Sequence, residues 1–249
     1  MPRSHDERET QPAPLGVPAR VLAIGAHPDD IEFGCGATLA RWSDAGSTIA
    51  LCIVTDGSKG SWNPSEDQLA LITRRHVEQD RAGGVLGVSA ITYLDHVDGE
   101  LEYTMELRRE IAMIIRRDQP DVVLTHDPWQ KYQIHPDHRV TGLSVVDAVV
   151  AAREPLSYID SDLDHHRPAH ILLWSAEDPD HLEPITPGSS ERKAEALLCH
   201  VSQGHTTMGD PHSGPEELTR FVASLDDKHR AAGTRFGAGP AEVFKLLTP

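Results

Sequence analysis

The sequence VLAIGAHPDD at residues 21–30 joins a short apolar run to a cluster of polar side chains. The apolar part, residues 21–26, has the length and composition of a buried β-strand. His27, Asp29 and Asp30 follow directly, so the end of this strand carries one imidazole and two carboxylates. Capping of a following helix would account for one of the two carboxylates and leave the other without a role. We therefore expect a functional site at this position.

A second apolar run, residues 48–55, is rich in Ile, Val and Thr and ends in Asp56-Gly57. Between the two runs, residues 37–45 have a composition suited to a helix, which Gly46 closes. A strand, a helix and a second strand in this order form a βαβ unit with parallel strands. Ligands bind at the carboxyl ends of such strands, which is where the polar cluster falls.

The alternation of strands and helices continues along the chain and predicts a doubly wound α/β fold. Further strands are predicted at residues 91–94, 121–125 and 169–174, and further helices at residues 66–86, 105–117, 139–152, 190–200 and 215–232. The expected architecture is a Rossmann-like, mostly parallel sheet flanked by helices. A chain of 249 residues suits a single domain with one well-buried core.

Two segments lack the periodicity of regular structure. Residues 1–18 are polar and contain four prolines, which predicts a flexible N-terminal arm before a domain at residues 19–249. Residues 155–168 are dense in Asp, His and Pro. This second segment is expected to form either an exposed loop or a lid over the site.

Composition excludes several classes of partner. Lys and Arg number 23 against 39 Asp and Glu, a net charge of −16, so nucleic acids and anionic membranes would be repelled. A neutral or cationic small molecule fits better, although an acidic surface also serves solubility. The three cysteines have neither the spacing of a disulfide framework nor that of a thiolate zinc site. No apolar stretch reaches membrane-spanning length and the first 20 residues lack a signal-peptide core, which predicts a cytoplasmic enzyme.

A second polar cluster, HPDH at residues 135–138, follows the strand predicted to end at residue 125. Because the carboxyl ends of parallel strands lie at one edge of a sheet, the two clusters are expected to meet. Two histidines and one carboxylate are a common ligand set for a catalytic metal, and His27, Asp30 and His138 would supply it. Zinc is the first choice, and the same donors also accept Fe²⁺ or Co²⁺.

The other cluster members have candidate catalytic roles. Asp29 is not needed for the metal and is predicted to be the general base that takes a proton from the attacking water. His135 would share a helix face with His138, and it is predicted to stabilise the oxyanion or to protonate the leaving amine. Asp137 is predicted either to orient His135 or to cap the helix. Five of the 15 histidines are treated as background: His76, His96, His165, His166 and His229.

The two clusters resemble those of the LmbE-like, or PIG-L, de-N-acetylases. AHPDD at residues 26–30 is followed about a hundred residues later by HPDH at residues 135–138. The similarity also covers GCGATL at residues 34–39 and HVSQ at residues 200–203, and it spans roughly residues 20–205. The resemblance implies a Rossmann-like fold and a zinc ion held by the three ligands named above.

The resemblance also implies a base at Asp29 and two substrate-binding residues. Arg75 matches a family arginine that grips hydroxyls or phosphate, and Asp98 matches an aspartate that contacts the sugar. From the residues alone, Arg75 would equally be a surface helix residue and Asp98 part of a turn. The chain departs from the commonest family forms at residues 31–32 and 36–37, and neither departure touches a proposed ligand.

The sequence therefore predicts a zinc-dependent hydrolase that removes an N-acetyl or similar acyl group from an amino sugar or small glycoconjugate. One alternative is an amidase of the S-conjugate type acting on a larger amide. Another is a non-haem iron oxygenase, because His27, Asp29 and His138 also fit a facial triad, although such enzymes usually have an all-β fold. A noncatalytic binding module is the third, and it leaves Asp29 and His135 without a role. A homo-oligomer is compatible with each of these.

Overall fold

A seven-stranded sheet forms the centre of the molecule, whose computed structural model describes residues 13–249. The strands are β1 (Arg20–Gly25), β2 (Thr48–Thr55), β3 (Ala90–His96), β4 (Val122–His126), β5 (His170–Trp174), β6 (His181–Pro184) and β7 (Ala241–Leu247). Their order across the sheet is β3-β2-β1-β4-β5-β7-β6. The first five strands in this order are parallel, and β7 runs antiparallel to both β5 and β6.

Helices cover both faces of the sheet. They are α1 (Asp30–Asp44), α2 (Gln68–Leu86), α3 (Met105–Asp118), α4 (Pro136–Arg153), α5 (Pro187–Leu198), α6 (Gly204–Thr207) and α7 (Pro215–Arg235), with a 3₁₀ turn at Val201–Gln203. α1, α2 and α5 pack together on one face, and α3 and α4 pack together on the other. α7 lies against β7.

The central strand β1 contributes to both halves of the core, because successive residues of a strand point to opposite faces. Val21 and Ala23 belong to the core on the side of α1, whereas Leu22 and Ile24 belong to the core on the side of α3 and α4. All four side chains are at most 2% exposed. Burial on both faces explains why this stretch is continuously apolar rather than alternating.

The strand order reverses between β1 and β4, which is the topological switch point of the sheet. β2 and β3 extend the sheet to one side of β1, and β4 and β5 extend it to the other. The helix that follows β1 packs on one face and the helix that follows β4 packs on the opposite face. A crevice therefore opens at the carboxyl ends of these two strands, where both polar clusters lie.

The predicted fold class is confirmed, since the molecule is a single domain with a mostly parallel sheet flanked by helices. β6 and β7 were not predicted. β6 has only four residues, and β7 lies at the antiparallel end of the sheet, outside the βαβ alternation on which the prediction depended. The short helical turns at residues 201–207 were also not predicted.

Helix α1 begins seven residues before the predicted start at residue 37. Its backbone leaves helical geometry at Cys35 (φ −149°, ψ 16°), which divides the helix into two halves. The carboxylate of Glu242 on β7 accepts hydrogen bonds from the N–H groups of Ala37 (3.2 Å) and Thr38 (2.8 Å). The predicted helix therefore corresponds to the second half of α1, which a residue about two hundred positions away caps.

The first twelve residues of the predicted arm lie outside the described part of the chain, so the arm stays a prediction. Residues 13–18 contact the domain: the Leu15 N–H donates to Glu183 (2.8 Å) and the Ser47 hydroxyl donates to the Pro18 carbonyl (2.6 Å). The segment at residues 155–168 is joined to α3 by an ion pair between Arg109 and Asp160 (2.7 Å).

Candidate active site

The candidate site begins with His27, the second residue after β1. Its backbone N–H donates to Asp30 Oδ2 at 2.7 Å, and its ring Nδ1 lies 3.1 Å from the same oxygen. Asp30 is the first residue of α1, so the tight connection from strand to helix brings the carboxylate back onto the imidazole. Both side chains are largely buried at the switch point of the sheet.

His138 completes a triangle with these two residues. It belongs to the first turn of α4, and its Nε2 lies 3.2 Å from Asp30 Oδ1 and 3.3 Å from His27 Nδ1. In a tetrahedral zinc site with bonds of about 2.0 Å, neighbouring donor atoms lie about 3.3 Å apart. The three contacts are close to this separation, with Asp30 Oδ2 facing His27 and Oδ1 facing His138, and the donor types are those that zinc binds. The three residues therefore fit a metal ion.

The other nitrogen of His27 faces two carboxylates. Nε2 lies 3.1 Å from Asp98 Oδ1 and 3.2 Å from Asp137 Oδ2. An Nε2–H group donating to either oxygen leaves Nδ1 free to bind a metal, which is the usual arrangement around a metal-bound histidine. Burial alone would raise the pKa values of both carboxyl groups, but the contact with His27 holds them below their ordinary range.

Asp98 and Asp137 have partners that the sequence did not predict. Asp137 does not cap α4, and its Oδ2 contacts His27 and accepts a hydrogen bond from the Gly99 N–H at 2.6 Å. The N-cap position of α4 is His135 itself. Asp98 uses Oδ1 on His27 and Oδ2 on the N–H of Lys59 (3.0 Å), so the protein already engages both of its oxygens.

Asp29 lies directly before α1 in a strained conformation, with φ 99° and ψ −25°. L-amino acids other than glycine rarely adopt this left-handed region. Its side chain is buried, and within residues 13–249 its Oδ2 accepts no hydrogen bond. Burial raises the pKa of the carboxyl to about 6, against the opposing effect of the Arg75 guanidinium 3.9 Å away. A buried carboxylate with one oxygen that accepts no hydrogen bond thus adjoins the metal-ligand candidates.

Arg75 is a buried residue of α2 and not a surface residue. Its guanidinium donates to the carbonyls of Pro28 (2.7 Å) and Gly57 (2.9 Å). A Cβ atom at Gly60 would lie 2.3 Å from the guanidinium, so only glycine leaves room for it there. Arg75 thereby ties the loops after β1 and β2 together and faces the cavity beside Asp29.

His135 lies over the triangle. Its ring stacks on that of His138 with centroids 4.7 Å apart and meets the ring of His27 edge-on at 4.6 Å. Burial and the neighbouring imidazoles lower the pKa of His135, which favours the neutral ring. His135 is the N-cap residue of α4 and His138 lies in its first turn, so the two do not share a helix face as predicted. Both imidazoles lie at the same cluster.

His126 is a site residue that the sequence analysis missed. It is the last residue of β4, and its Nε2 lies 3.3 Å from Asp30 Oδ2. The Trp174 indole N–H donates to His126 Nδ1 at 3.1 Å, and the Ala26 N–H donates to His126 Nε2 at 3.2 Å. Burial lowers the pKa of His126 and keeps the ring neutral. The available signal was its position one residue after a predicted strand.

Two adjoining cavities meet at the cluster. One, of about 410 Å³, has mainly polar groups near the triangle, among them Arg75, Asp98 and His135, with Trp62 at its edge. The other, of about 590 Å³, extends towards α7 and includes Phe33, Trp174 and Lys193. Asp29, Asp30 and His138 line both cavities, and the segment at residues 155–168 lines neither. A small molecule could therefore reach the donor triangle from two sides.

A protein-family model covers both of the motifs that form this site. The family model described as PIG-L, GlcNAc-PI de-N-acetylase, matches residues 22–149, just over half of the chain.

The chain belongs to the PIG-L family.

Among its curated relatives is the diacetylchitobiose deacetylase of Thermococcus kodakarensis, 36% identical over 92% of this chain and 86% of the relative. Among solved structures, the N,N'-diacetylchitobiose deacetylase of Pyrococcus horikoshii, complexed with an inhibitor, is similar with a TM-score of 0.82 and 29% identity, covering 93% of this chain and 84% of that one. A conserved protein of Thermus thermophilus has a TM-score of 0.73 and 26% identity, with 90% and 93% covered.

Membership of the PIG-L family confirms the predicted activity, N-deacetylation of an amino sugar. The parallel sheet and the family together contradict the non-haem iron oxygenase alternative. In the structure Asp30, and not Asp29, lies between the two histidines, which also removes the facial triad on which that alternative depended. Between residues 13 and 249 no helix combines the length and the apolar character needed to cross a membrane.

Proposed function

We propose that this PIG-L protein is a zinc-dependent N-deacetylase of saccharides that contain N-acetylglucosamine, with zinc held by His27, Asp30 and His138. The observation that carries the proposal is the approach of these three residues to one another, with contacts of 3.1 to 3.3 Å, beside the Asp29 carboxylate, whose Oδ2 accepts no hydrogen bond within residues 13–249. A bound zinc ion would supply a Lewis acid that polarises the acetyl carbonyl and lowers the pKa of water.

Asp29 acts as the general base. With a pKa of about 6, its carboxyl group is largely ionised at neutral pH and still basic enough to accept a proton. As the water oxygen bonds to the acetyl carbonyl carbon, Asp29 takes the water proton. The departing nitrogen needs a proton when the C–N bond breaks, and Asp29 then holds one. The products are acetate and a free amine.

His135 and the two carboxylates at His27 have supporting roles. The neutral ring of His135 donates a hydrogen bond to the carbonyl oxygen as negative charge develops there. Asp98 and Asp137 accept from His27 Nε2, which fixes the ring orientation that leaves Nδ1 for the metal. Asp137 therefore acts through His27 rather than through His135.

The cavity of about 410 Å³ that Arg75, Asp98 and His135 line binds the sugar. Arg75 lines this cavity, which places its side chain beside the bound sugar. The relatives named for diacetylchitobiose support a neutral acetylated saccharide. A chain with a net charge of −16 also favours a neutral substrate over an anionic one.

The test is release of free amine, detected by fluorescamine, from N-acetylglucosamine, N,N'-diacetylchitobiose and a thiol-conjugate amide. Protein stripped of metal by a chelator and protein reloaded with zinc, iron or cobalt are compared. We expect amine from the acetylated saccharides only after metal is restored, with zinc sufficient. Amine from the thiol-conjugate amide alone would favour the S-conjugate amidase alternative. No amine from any substrate, with metal bound, would contradict a catalytic role.

A further inference from the structure

A buried chain of polar side chains lies behind Asp29. Gln79 of α2 accepts a hydrogen bond from the Asp29 backbone N–H through Oε1 at 3.1 Å. The other end of the same amide donates from Nε2 to Glu32 Oε1 at 2.7 Å. Gln79 and Glu32 are both 0% exposed, so water does not compete for these contacts. None of these roles was apparent from the sequence.

The backbone of Asp29 needs such support. Its φ of 99° lies in the left-handed region, which is unfavourable for a residue with a side chain and persists only when its surroundings hold it. The Asp29 side chain makes no cap hydrogen bond with α1 that could hold it. Its N–H is buried at this bend, and losing the Gln79 acceptor would leave that donor unsatisfied.

Glu32 decides which end of the Gln79 amide faces Asp29. Glu32 Oε1 accepts from Gln79 Nε2, so the NH₂ end of Gln79 points to Glu32 and the carbonyl end to Asp29. The Glu32 carboxylate also faces His200, whose Nε2 lies 3.6 Å from Glu32 Oε2, and both side chains are fully buried. The contact with Glu32 thus fixes the orientation of the Gln79 amide.

We propose that Gln79 and Glu32 are positioning residues that hold Asp29 in its left-handed conformation, so that its carboxylate faces the donor triangle. The inference rests on the proposed role of Asp29 as general base. Neither residue lines a cavity at the site, so both act through Asp29 and not on the substrate.

The first variant is Glu32→Gln. A carboxamide at position 32 can donate as well as accept, so the Gln79 amide is no longer forced to present its carbonyl to Asp29. We expect kcat to fall about tenfold to a hundredfold, because small misplacements of a reacting group cost up to about that much. KM and zinc content should stay within about twofold, since the ligands and the cavity walls are unchanged.

The second variant adds Gln79→Glu to Glu32→Gln. The new carboxylate at position 79 accepts from the Asp29 N–H at one oxygen and from the new amide at position 32 at the other. The pattern of donors and acceptors and the total charge are both restored. We expect kcat to recover to within about threefold of the unmodified protein, which general damage to the fold would not allow.

A matched control is Glu183→Gln. Glu183 is also 0% exposed and also lies beside a buried histidine, with its Oε1 2.8 Å from His181 Nε2, but on β6 away from Asp29. This variant should lose stability comparably and keep kcat. If it lowers kcat as much as Glu32→Gln does, the loss is structural and the proposal is wrong.

Hydrogen exchange of the Asp29 backbone amide gives a readout that needs no substrate. We expect exchange to be at least tenfold faster in Glu32→Gln and to return to the original rate in the double variant. Unchanged exchange and kcat in Glu32→Gln, or no recovery in the double variant, would overturn the proposal. If the unmodified protein releases no amine at all, the proposed function fails while the exchange measurement still decides whether Asp29 is held by this chain.

Discussion

The Asp30 carboxylate contacts three histidines of the candidate site. Its Oδ1 faces His138, and its Oδ2 faces His27 and His126. Burial alone would raise the pKa of this carboxyl, but the surrounding imidazoles hold it well below its ordinary value. Asp30 is therefore an anion, which is the form that binds a metal.

His138→Ala should lose stoichiometric metal. The change removes one of three protein ligands and one corner of the donor triangle, and two donors hold zinc poorly. Elemental analysis after dialysis measures the zinc bound per chain. His165→Ala, at an exposed histidine outside the site, is the control and should keep its metal. A full complement of zinc in His138→Ala would show that the ligand set is different.

The two motifs that form the site could be predicted from the sequence, but the contacts that their side chains make could not. His27, Asp30 and His138 are the residues that the two motifs indicated, and the structure brings them together. His126 was missed because it is a single histidine outside both motifs, although it directly follows the strand predicted at residues 121–125. The contact of Asp137 with His27 depends on how α4 meets the sheet, which no local pattern encodes.

At the scale of elements, α1 shows what a local pattern reveals and what it conceals. The composition of residues 37–45 predicted a helix because this half has ordinary helical residues. The first half contains two glycines and a break at Cys35, and its continuation depends on Glu242 from β7. A cap supplied from a distant strand cannot be inferred from neighbouring residues.

The packing of α1 on β5 gives a second prediction, Gly34→Ala. A Cβ atom at Gly34 would lie 2.5 Å from the Trp174 ring, whose indole N–H holds His126. We expect the free energy of unfolding in urea to fall by about 1–3 kcal/mol, as overpacking does elsewhere. Gly84→Ala in α2 is the control, because nothing lies within 4 Å of its Cβ position. Equal stability of the two variants would mean that Trp174 moves aside without cost.

At the scale of the whole molecule, the βαβ alternation was sufficient to predict the order of layers. Five parallel strands with helices on both faces follow from right-handed crossover connections between apolar runs. The antiparallel addition of β7 and β6 does not follow from that rule, because these strands come after the alternation ends. Their contribution matters at the site, since β7 carries Glu242.

Acid should destabilise the molecule partly through His229. Burial, with Lys193 nearby, lowers the pKa of His229 to about 4, against about 6.5 in the unfolded chain. The unfolded state therefore binds more protons between pH 6.5 and 4, so stability is complete above this window and falls as pH drops through it. The loss is at most about 3 kcal/mol.

Urea unfolding of the original protein and of His229→Leu at pH 7.5 and pH 4.5 measures this effect. The difference in stability between the two proteins should shift in favour of the variant at the lower pH. His165→Leu is the control and should show a constant difference, because His165 is exposed. A difference for His229→Leu that does not change with pH would exclude the assigned titration.

Asp29→Asn tests whether Asp29 is the base of a metal-dependent deacetylase. Amine release from N,N'-diacetylchitobiose is measured for the variant and the original protein, with zinc content determined on the same samples. We expect the variant to bind a full complement of zinc and to lose about a hundredfold to ten-thousandfold in kcat, which is the usual cost of removing a general base. Near-normal turnover in the zinc-loaded variant would contradict it.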